Sequence, residues 1–194
     1  MMAVSPRRLA ARCLVAALTA GCATPAAPPS LPELAVADAA FAPTLAAYSG
    51  SAVVAGNRVD LLLNGDEIFP AVLAAIRDAR ESVHYVQYSW GDGDISRAVA
   101  EAFAERCRAG VRVRIMVDGM GSAGLPAEHI ASMRRAGCRV HVFRPMHSAL
   151  FRFWRFNARD HRRILIIDGR LAITGGSGVN SKVDGRRAYQ RALA

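Results

Sequence analysis

The residues best placed to do chemistry lie in one stretch, Asn157-Ala158-Arg159-Asp160-His161-Arg162-Arg163-Ile164-Leu165-Ile166-Ile167-Asp168-Gly169-Arg170-Leu171-Ala172-Ile173-Thr174-Gly175-Gly176. Residues 164–167 and 171–174 are apolar runs of strand type. Asp168-Gly169 between them is a hairpin signal, because both residues tolerate the left-handed conformation of a tight turn. A two-residue loop sets Ile167 against Arg170, Arg163 against Thr174 and His161 against Gly176. Alternation along the strand then puts His161 and Arg163 on one face and Arg162 on the other. Gly175 and Gly176 remove side chains near the histidine, so backbone N–H groups can approach an anion. An imidazole, a cation two residues on and bare amides on one face are the parts of a phosphoryl site. Histidine can attack phosphorus, while the cation and amides stabilise the oxygens as charge builds.

Other candidate residues have less to recommend them. His84 and His141 lie in apolar strands and read as core histidines; His129 reads as helix surface, and His147 follows Pro145 in a loop. Asp118 ends a strand, where it either lines a pocket or caps a turn. Residues 144–163 interleave Phe151, Phe153, Trp154 and Phe156 with Arg152, Arg155 and Arg159. That mixture suits an interfacial loop, rings among lipid headgroups and guanidiniums on phosphates; the alternative is that the aromatics join the core. Single-stranded nucleic acid would use the same residue types. Cys107 and Cys138 show no metal-ligand spacing. They are expected to be two buried free thiols, with a bridge as the alternative in an oxidising compartment.

The elements that must position the motif alternate in type. Residues 59–63 form a β-rich run closed by Asn64-Gly65, after which Asp66 can cap a helix carrying Ile68, Phe69, Val72, Leu73 and Ile76 at helical spacing. Residues 82–90 read as a strand, Asp94 as the cap of a second helix stopping at Gly110, and 111–117 as an alternating strand. A third helix opens at Pro126 and stops at Gly137, before a strand over 139–143. Strands separated by such helices imply right-handed crossovers and a largely parallel sheet covered on both faces. Ligands sit at the carboxyl ends of the strands in such sheets, where Ser89, Trp90 and Asp118 fall.

The chain has 194 residues, 52% of them hydrophobic and 21% charged, with Gly 16 and Pro 9. This is too apolar for disorder and too poor in glycine and proline for a fibrous repeat. No apolar run reaches the roughly 18 residues of a spanning helix, which excludes a polytopic membrane protein. The net charge of +9 favours anionic partners. Arg7, Arg8 and Arg12 precede a short apolar stretch ending at Gly21-Cys22, the pattern of a secretion signal over residues 1–21. Leu18-Thr19-Ala20-Gly21-Cys22 also resembles a bacterial lipobox, which implies lipidation of Cys22; ordinary cleavage and an uncleaved anchor are the alternatives. Residues 22–56 are rich in Ala and Pro and read as a tether of extended character, or as a spacer with no role beyond distance. Residues 57–194 then form the domain.

The motif resembles the H-x-K-x4-D-x6-G-G/S pattern of the phospholipase D superfamily, and the surrounding segments look most like bacterial cardiolipin synthases. The likeness runs from about Val59 to Gly178. It includes Gln87-Tyr88-Ser89-Trp90, Val117-Asp118-Gly119-Met120-Gly121-Ser122 and Phe143-Arg144-Pro145. It implies an α/β sandwich with a mixed, mainly parallel sheet and helices on both faces, one half of a two-repeat architecture. It makes His161 the nucleophile or its general-acid counterpart, and sets Arg163 at the phosphate-binding lysine. Asp168 falls at the motif's aspartate, although the Asp-Gly turn already gives it a structural role. Gly175 and Gly176 match the small pair lining the phosphate, and no metal or other cofactor is implied.

The implied activity is phosphatidyl transfer on membrane phospholipids of the phosphatidylglycerol type, in a lipoprotein facing the periplasm of a bacterial envelope. The alternatives are a dimeric single-motif phosphodiesterase acting on nucleic acid, or a silent half that only binds anionic membranes. The export signal and tether argue against nucleic acid. Three departures stand out: arginine replaces lysine at 163, Gly178 falls where the family has asparagine, with Asn180 two later, and one motif is present where the family has two. The resemblance therefore implies either a homodimer or a missing second half.

Overall fold

The structure, a computed structural model, describes residues 32–146 and 158–180. The signal segment 1–21, Cys22, His147 and the aromatic residues Phe151, Phe153, Trp154 and Phe156 lie outside the described residues. Two compact units divide between Val59 and Asp60. In the first, α1 (Phe41–Ser49) is helical where an extended tether was expected, and it ends at Gly50 with φ 66°. Pro43 falls in its first turn, where a missing N–H costs nothing, and alanines follow. None of its residues is buried.

The second unit contains α2 (Asn64–Asp78), β1 (Ser82–Gln87), α3 (Asp94–Arg108), β2 (Arg112–Asp118), α4 (Ala127–Arg135), β3 (Arg139–Phe143), β4 (Arg163–Ile167) and β5 (Leu171–Thr174). The expected strand over 59–63 does not form: Val59 and Leu61 are 90% and 80% exposed. Alternating β-formers alone make no strand without a ladder to join. The chain instead turns at Asn64 (φ 61°), and the Glu67 carboxylate, rather than Asp66, accepts the Leu63 N–H at 2.7 Å.

The sheet order is β3-β2-β1-β4-β5. β1, β2 and β3 are parallel, linked by α3 and α4, while β4 runs antiparallel to β1 and β5 antiparallel to β4. The sheet is thus mixed, with helices packed against it. Val83, Tyr85, Val113, Ile115, Val117, Leu165 and Ile167 share one face, and α2, α3 and α4 close over it. Trp90, Phe103, Leu73, Ile76 and Met133 fill the layer between. His84 and His141 have the opposite parity and are exposed, not core residues as expected. His129 is half-buried, its Nδ1 3.5 Å from the hydroxyl of the buried Ser96, which accepts the Trp90 indole N–H at 2.7 Å.

Cys107, in the last turn of α3, and Cys138, before β3, are bonded to each other, with Cα atoms 5.5 Å apart. The expectation of two free thiols is corrected. Periodicity in sequence could not reveal that the end of α3 and the turn out of α4 meet at one edge of the core. The bridge spans a sequence separation of 31 residues. Closing a loop of that size removes roughly 3–4 kcal/mol of disorder from the unfolded chain. Reduction, or Cys107→Ser, is therefore expected to lower the thermal midpoint by about 10 °C. Mass spectrometry of the denatured, unreduced protein with a thiol-alkylating reagent should find these two cysteines protected.

Candidate functional site

β1 and β2 end side by side, and β4, antiparallel to β1, begins at that same end, where Gln87 pairs with Arg163. The residues leading into β4 are thereby delivered to the carboxyl ends of the parallel strands. His161 is exposed there. The Arg163 guanidinium lies beside it, Nη2 3.3 Å from Nε2. Because a guanidinium can only donate, this contact needs an unprotonated Nε2, the form in which histidine is a nucleophile. Arg162 turns the other way, to the Asp160 carboxylate, with its Nε at 2.9 Å and Nη2 at 2.5 Å. That hydrogen-bonded pairing holds the Asp160 carboxyl below the ordinary range. The alternation expected from sequence therefore holds across residues 161–163.

The glycine segment returns to the same place. Ile164 pairs with Thr174, so the register carried one step further sets Gly175 across from Arg163. The expected register, Arg163 against Thr174 and His161 against Gly176, is off by one. Asp168 and Gly169 both adopt positive φ (51° and 65°), and the Arg170 N–H closes a turn on the Ile167 carbonyl at 2.9 Å. The ladder resumes only at Leu171, which leaves Arg170 as an extra residue in the hairpin. A Cβ at Gly175 or Gly176 would meet nothing within 4 Å among the described residues. Gly178 differs: a Cβ there would lie 3.0 Å from the Ser89 hydroxyl and 3.2 Å from its Cβ. Beyond it Val179 runs parallel beside Trp90, with its N–H bonded to Ser89 and its carbonyl to Gly91.

Three residues that the motif did not single out hold this arrangement. Gln87, buried at the end of β1, donates from its amide to the carbonyls of Ser89 (2.8 Å) and Ser177 (3.3 Å), tying the strand's exit to the glycine segment. Asp118 serves as a turn cap rather than a pocket wall. Its carboxylate accepts the N–H groups of Met120 and Gly121 at 2.8 and 3.0 Å, and that of Asp160 at 3.3 Å, one residue before His161. Tyr88 packs its ring edgewise on the His161 imidazole, centroids 4.0 Å apart. The signal for Gln87 and Asp118 lay in the sequence, as polar residues closing apolar strands. Nothing in spacing marked Tyr88.

Asp168 does not join the group. It lies at the opposite end of β4 from His161, and its carboxylate accepts the backbone N–H groups of Arg80, Glu81 and Ser82 at 2.8–2.9 Å. Its contacts are those of the structural role that the Asp-Gly turn implies. In this fold it is an anchor between the β4–β5 turn and the connection from α2 to β1.

Comparison with known proteins gives these residues a context. The family model described as "Cardiolipin synthase, PLD-like domain" matches residues 72–183. Cardiolipin synthase A of Pseudomonas fluorescens is 35% identical over 134 residues, 69% of this chain and 28% of that relative. Cardiolipin synthase 1 of Bacillus cereus is 33% identical over 139 residues, 72% of this chain and 27% of that relative. The chain thus spans little more than a quarter of the length of these relatives. Among solved structures, Nuc of Salmonella typhimurium, a phospholipase D family member, superposes with a TM-score of 0.44 at 19% identity, covering 60% of this chain and 68% of that one.

The Asp168 anchor makes a prediction about pH. The N–H groups of Ser82, Arg80 and Glu81 hold its carboxyl below the ordinary range. A lowered folded value means that the ionised form contributes stability above the unfolded value, about 3.9, and loses it as pH falls through the folded one. Asp168→Asn keeps an acceptor but not the charge. It should lower the thermal midpoint at pH 7, and the gap from wild type should narrow as pH falls below about 4. A gap unchanged across that range would remove the role given to the carboxylate.

Proposed function

We propose, from the premise that the chain belongs to the phospholipase D-like domain family of cardiolipin synthases, that it serves phosphatidyl transfer between membrane glycerophospholipids. The observation that carries the reading is an exposed imidazole whose Nε2 stands 3.3 Å from a guanidinium, at the mouth formed by the ends of β1 and β2. In the first step Nε2 attacks the diester phosphorus and the bond to the headgroup oxygen breaks, leaving a phosphatidyl-histidine. Arg163 and the amides of residues 175–176 stabilise the phosphoryl oxygens as charge gathers on them. The leaving oxygen takes its proton from the histidine of a second such motif, supplied by another copy of the chain or by a further half. In the second step that histidine accepts the proton of an incoming glycerol hydroxyl, whose oxygen attacks phosphorus and breaks the P–N bond. With phosphatidylglycerol as donor and acceptor, the products are cardiolipin and glycerol.

The same reading places the protein on the bacterial envelope, facing the periplasm and held at Cys22. The signal-like residues 1–21 support this, as does the net charge of +9, which becomes +6 once Arg7, Arg8 and Arg12 leave with those residues and still suits an anionic bilayer. The bridge between Cys107 and Cys138 supports it too, since such bonds persist in oxidising compartments.

The test uses the full chain with vesicles of labelled phosphatidylglycerol. Wild type should yield cardiolipin and glycerol, and His161→Asn should lose on the order of 10³-fold or more in turnover while its circular dichroism is unchanged. Phosphatidic acid as sole product would make the enzyme a hydrolase. Cleavage of DNA without lipid turnover would replace this function with that of a nuclease. Vesicle binding without any turnover would leave a membrane-binding module.

A further inference from the structure

Tyr88 touches both of the groups to which the proposed function gives the chemistry. Its ring stands edgewise to the His161 imidazole, with centroids 4.0 Å apart and planes at 63°. The Arg163 guanidinium carbon lies 5.8 Å from the centre of the same ring, within range of a cation–π attraction. The backbone of Tyr88 is itself pinned. Its carbonyl accepts the Ser122 hydroxyl at 2.8 Å. A Cβ at Gly121 would lie 2.4 Å from that carbonyl oxygen and 2.8 Å from two ring carbons. The loop after β2 can approach the ring this closely only because residue 121 has no side chain.

Without such a support the site would be loose. An exposed imidazole samples several rotamers, and a guanidinium on a long stem holds it weakly through one 3.3 Å contact. A nucleophile misplaced by about 1 Å can cost about 10²-fold in rate. We propose that Tyr88 is a positioning residue for the phosphoryl transfer: its edge fixes the orientation of the His161 ring, so that Nε2 stays beside Arg163. Its face holds the guanidinium charge over the same spot. This rests on the function proposed above. Both contacts are made by the ring, so the ring and not the phenolic hydroxyl is the acting group.

The test compares Tyr88→Phe and Tyr88→Leu in the full chain by two readouts. The first is the imidazole proton spectrum, in which the His161→Asn variant identifies the His161 signals by their loss. Tyr88→Phe should keep those signals near their wild-type positions, and Tyr88→Leu should move them towards the values of a free imidazole as the ring current is lost. The second is hydrolysis of bis(p-nitrophenyl) phosphate. Tyr88→Phe should stay within about threefold of wild type, whereas Tyr88→Leu should lose on the order of 10–100-fold in kcat with a smaller change in KM. A purely structural role would lower the thermal midpoint without that selective loss in kcat. Unmoved His161 signals in Tyr88→Leu overturn the proposal, and so does a Phe variant as impaired as the Leu variant. A wild type that turns over no diester sinks the function reading, and the imidazole signals still decide whether Tyr88 orients the ring.

Discussion

A carboxylate buried at the exit of β2 is the constraint on which the site depends. Asp118 is 2% exposed, and burying a charge at that depth is tolerated only when hydrogen bonds surround it. Its oxygens take N–H groups from two places at once, Met120 and Gly121 in the loop that follows and Asp160 from the segment leading into β4. Arg159 stands 3.8 Å away and donates to the Arg144 carbonyl, and Arg144 donates back to the carbonyl of Ala158. One group thus fixes both the loop that supports Tyr88 and the residue preceding His161. The imidazole is exposed, but the backbone that carries it is not free to drift.

How much of this could be read beforehand follows from the range of the forces involved. Helices and strands with a regular apolar repeat were legible, because periodicity within one element decides which face is buried. That holds for α2 to α4 and for β1 to β5. Residues 59–63 have the same kind of pattern but form no strand, since a strand exists only through a partner that its own sequence does not specify. The hairpin was recognised from Asp168-Gly169, yet its register shifted by one. The turn closes on Arg170 while the ladder resumes at Leu171, so the loop holds three residues instead of two. His84 and His141 were assigned to the core from apolar neighbours, although parity turns them away from the face that packs against α2, α3 and α4, and both are exposed. The bridge between Cys107 and Cys138 and the contact of Tyr88 with His161 are long-range in sequence, so no local pattern announces them.

Asp118 and Asp168 show why residue type alone does not assign a role. Both are aspartates at strand ends, and both accept three backbone N–H groups. Asp168 stitches the end of the sheet away from the histidine, joining the hairpin turn to the start of β1. Asp118 stitches the end at which His161 lies. Its closeness in sequence to His161 made Asp168 the more conspicuous of the two. The antiparallel run of β4 reverses that ranking, because residues at opposite ends of one extended strand are carried apart at about 3.3 Å per residue.

The departures at 163 and 178 act on the same small space in opposite senses. Arginine brings five donors on a rigid plane where lysine would bring three on a point charge. Here the guanidinium lies over the Tyr88 ring and beside Nε2 of His161, while its Nε is buried with no acceptor among the described residues. The same charge lies near Tyr85, whose burial raises its ionisation far above the ordinary phenol value despite that cation, so this phenol stays neutral. At 178 a glycine replaces a side-chain amide, and Ser89 approaches to where a Cβ would sit at 3.0 Å. One change adds donors beside His161 and the other removes a side-chain amide near Ser89. Lysine at 163 would therefore lose the contact with the Tyr88 ring, with no amide at 178 to direct the charge in its place.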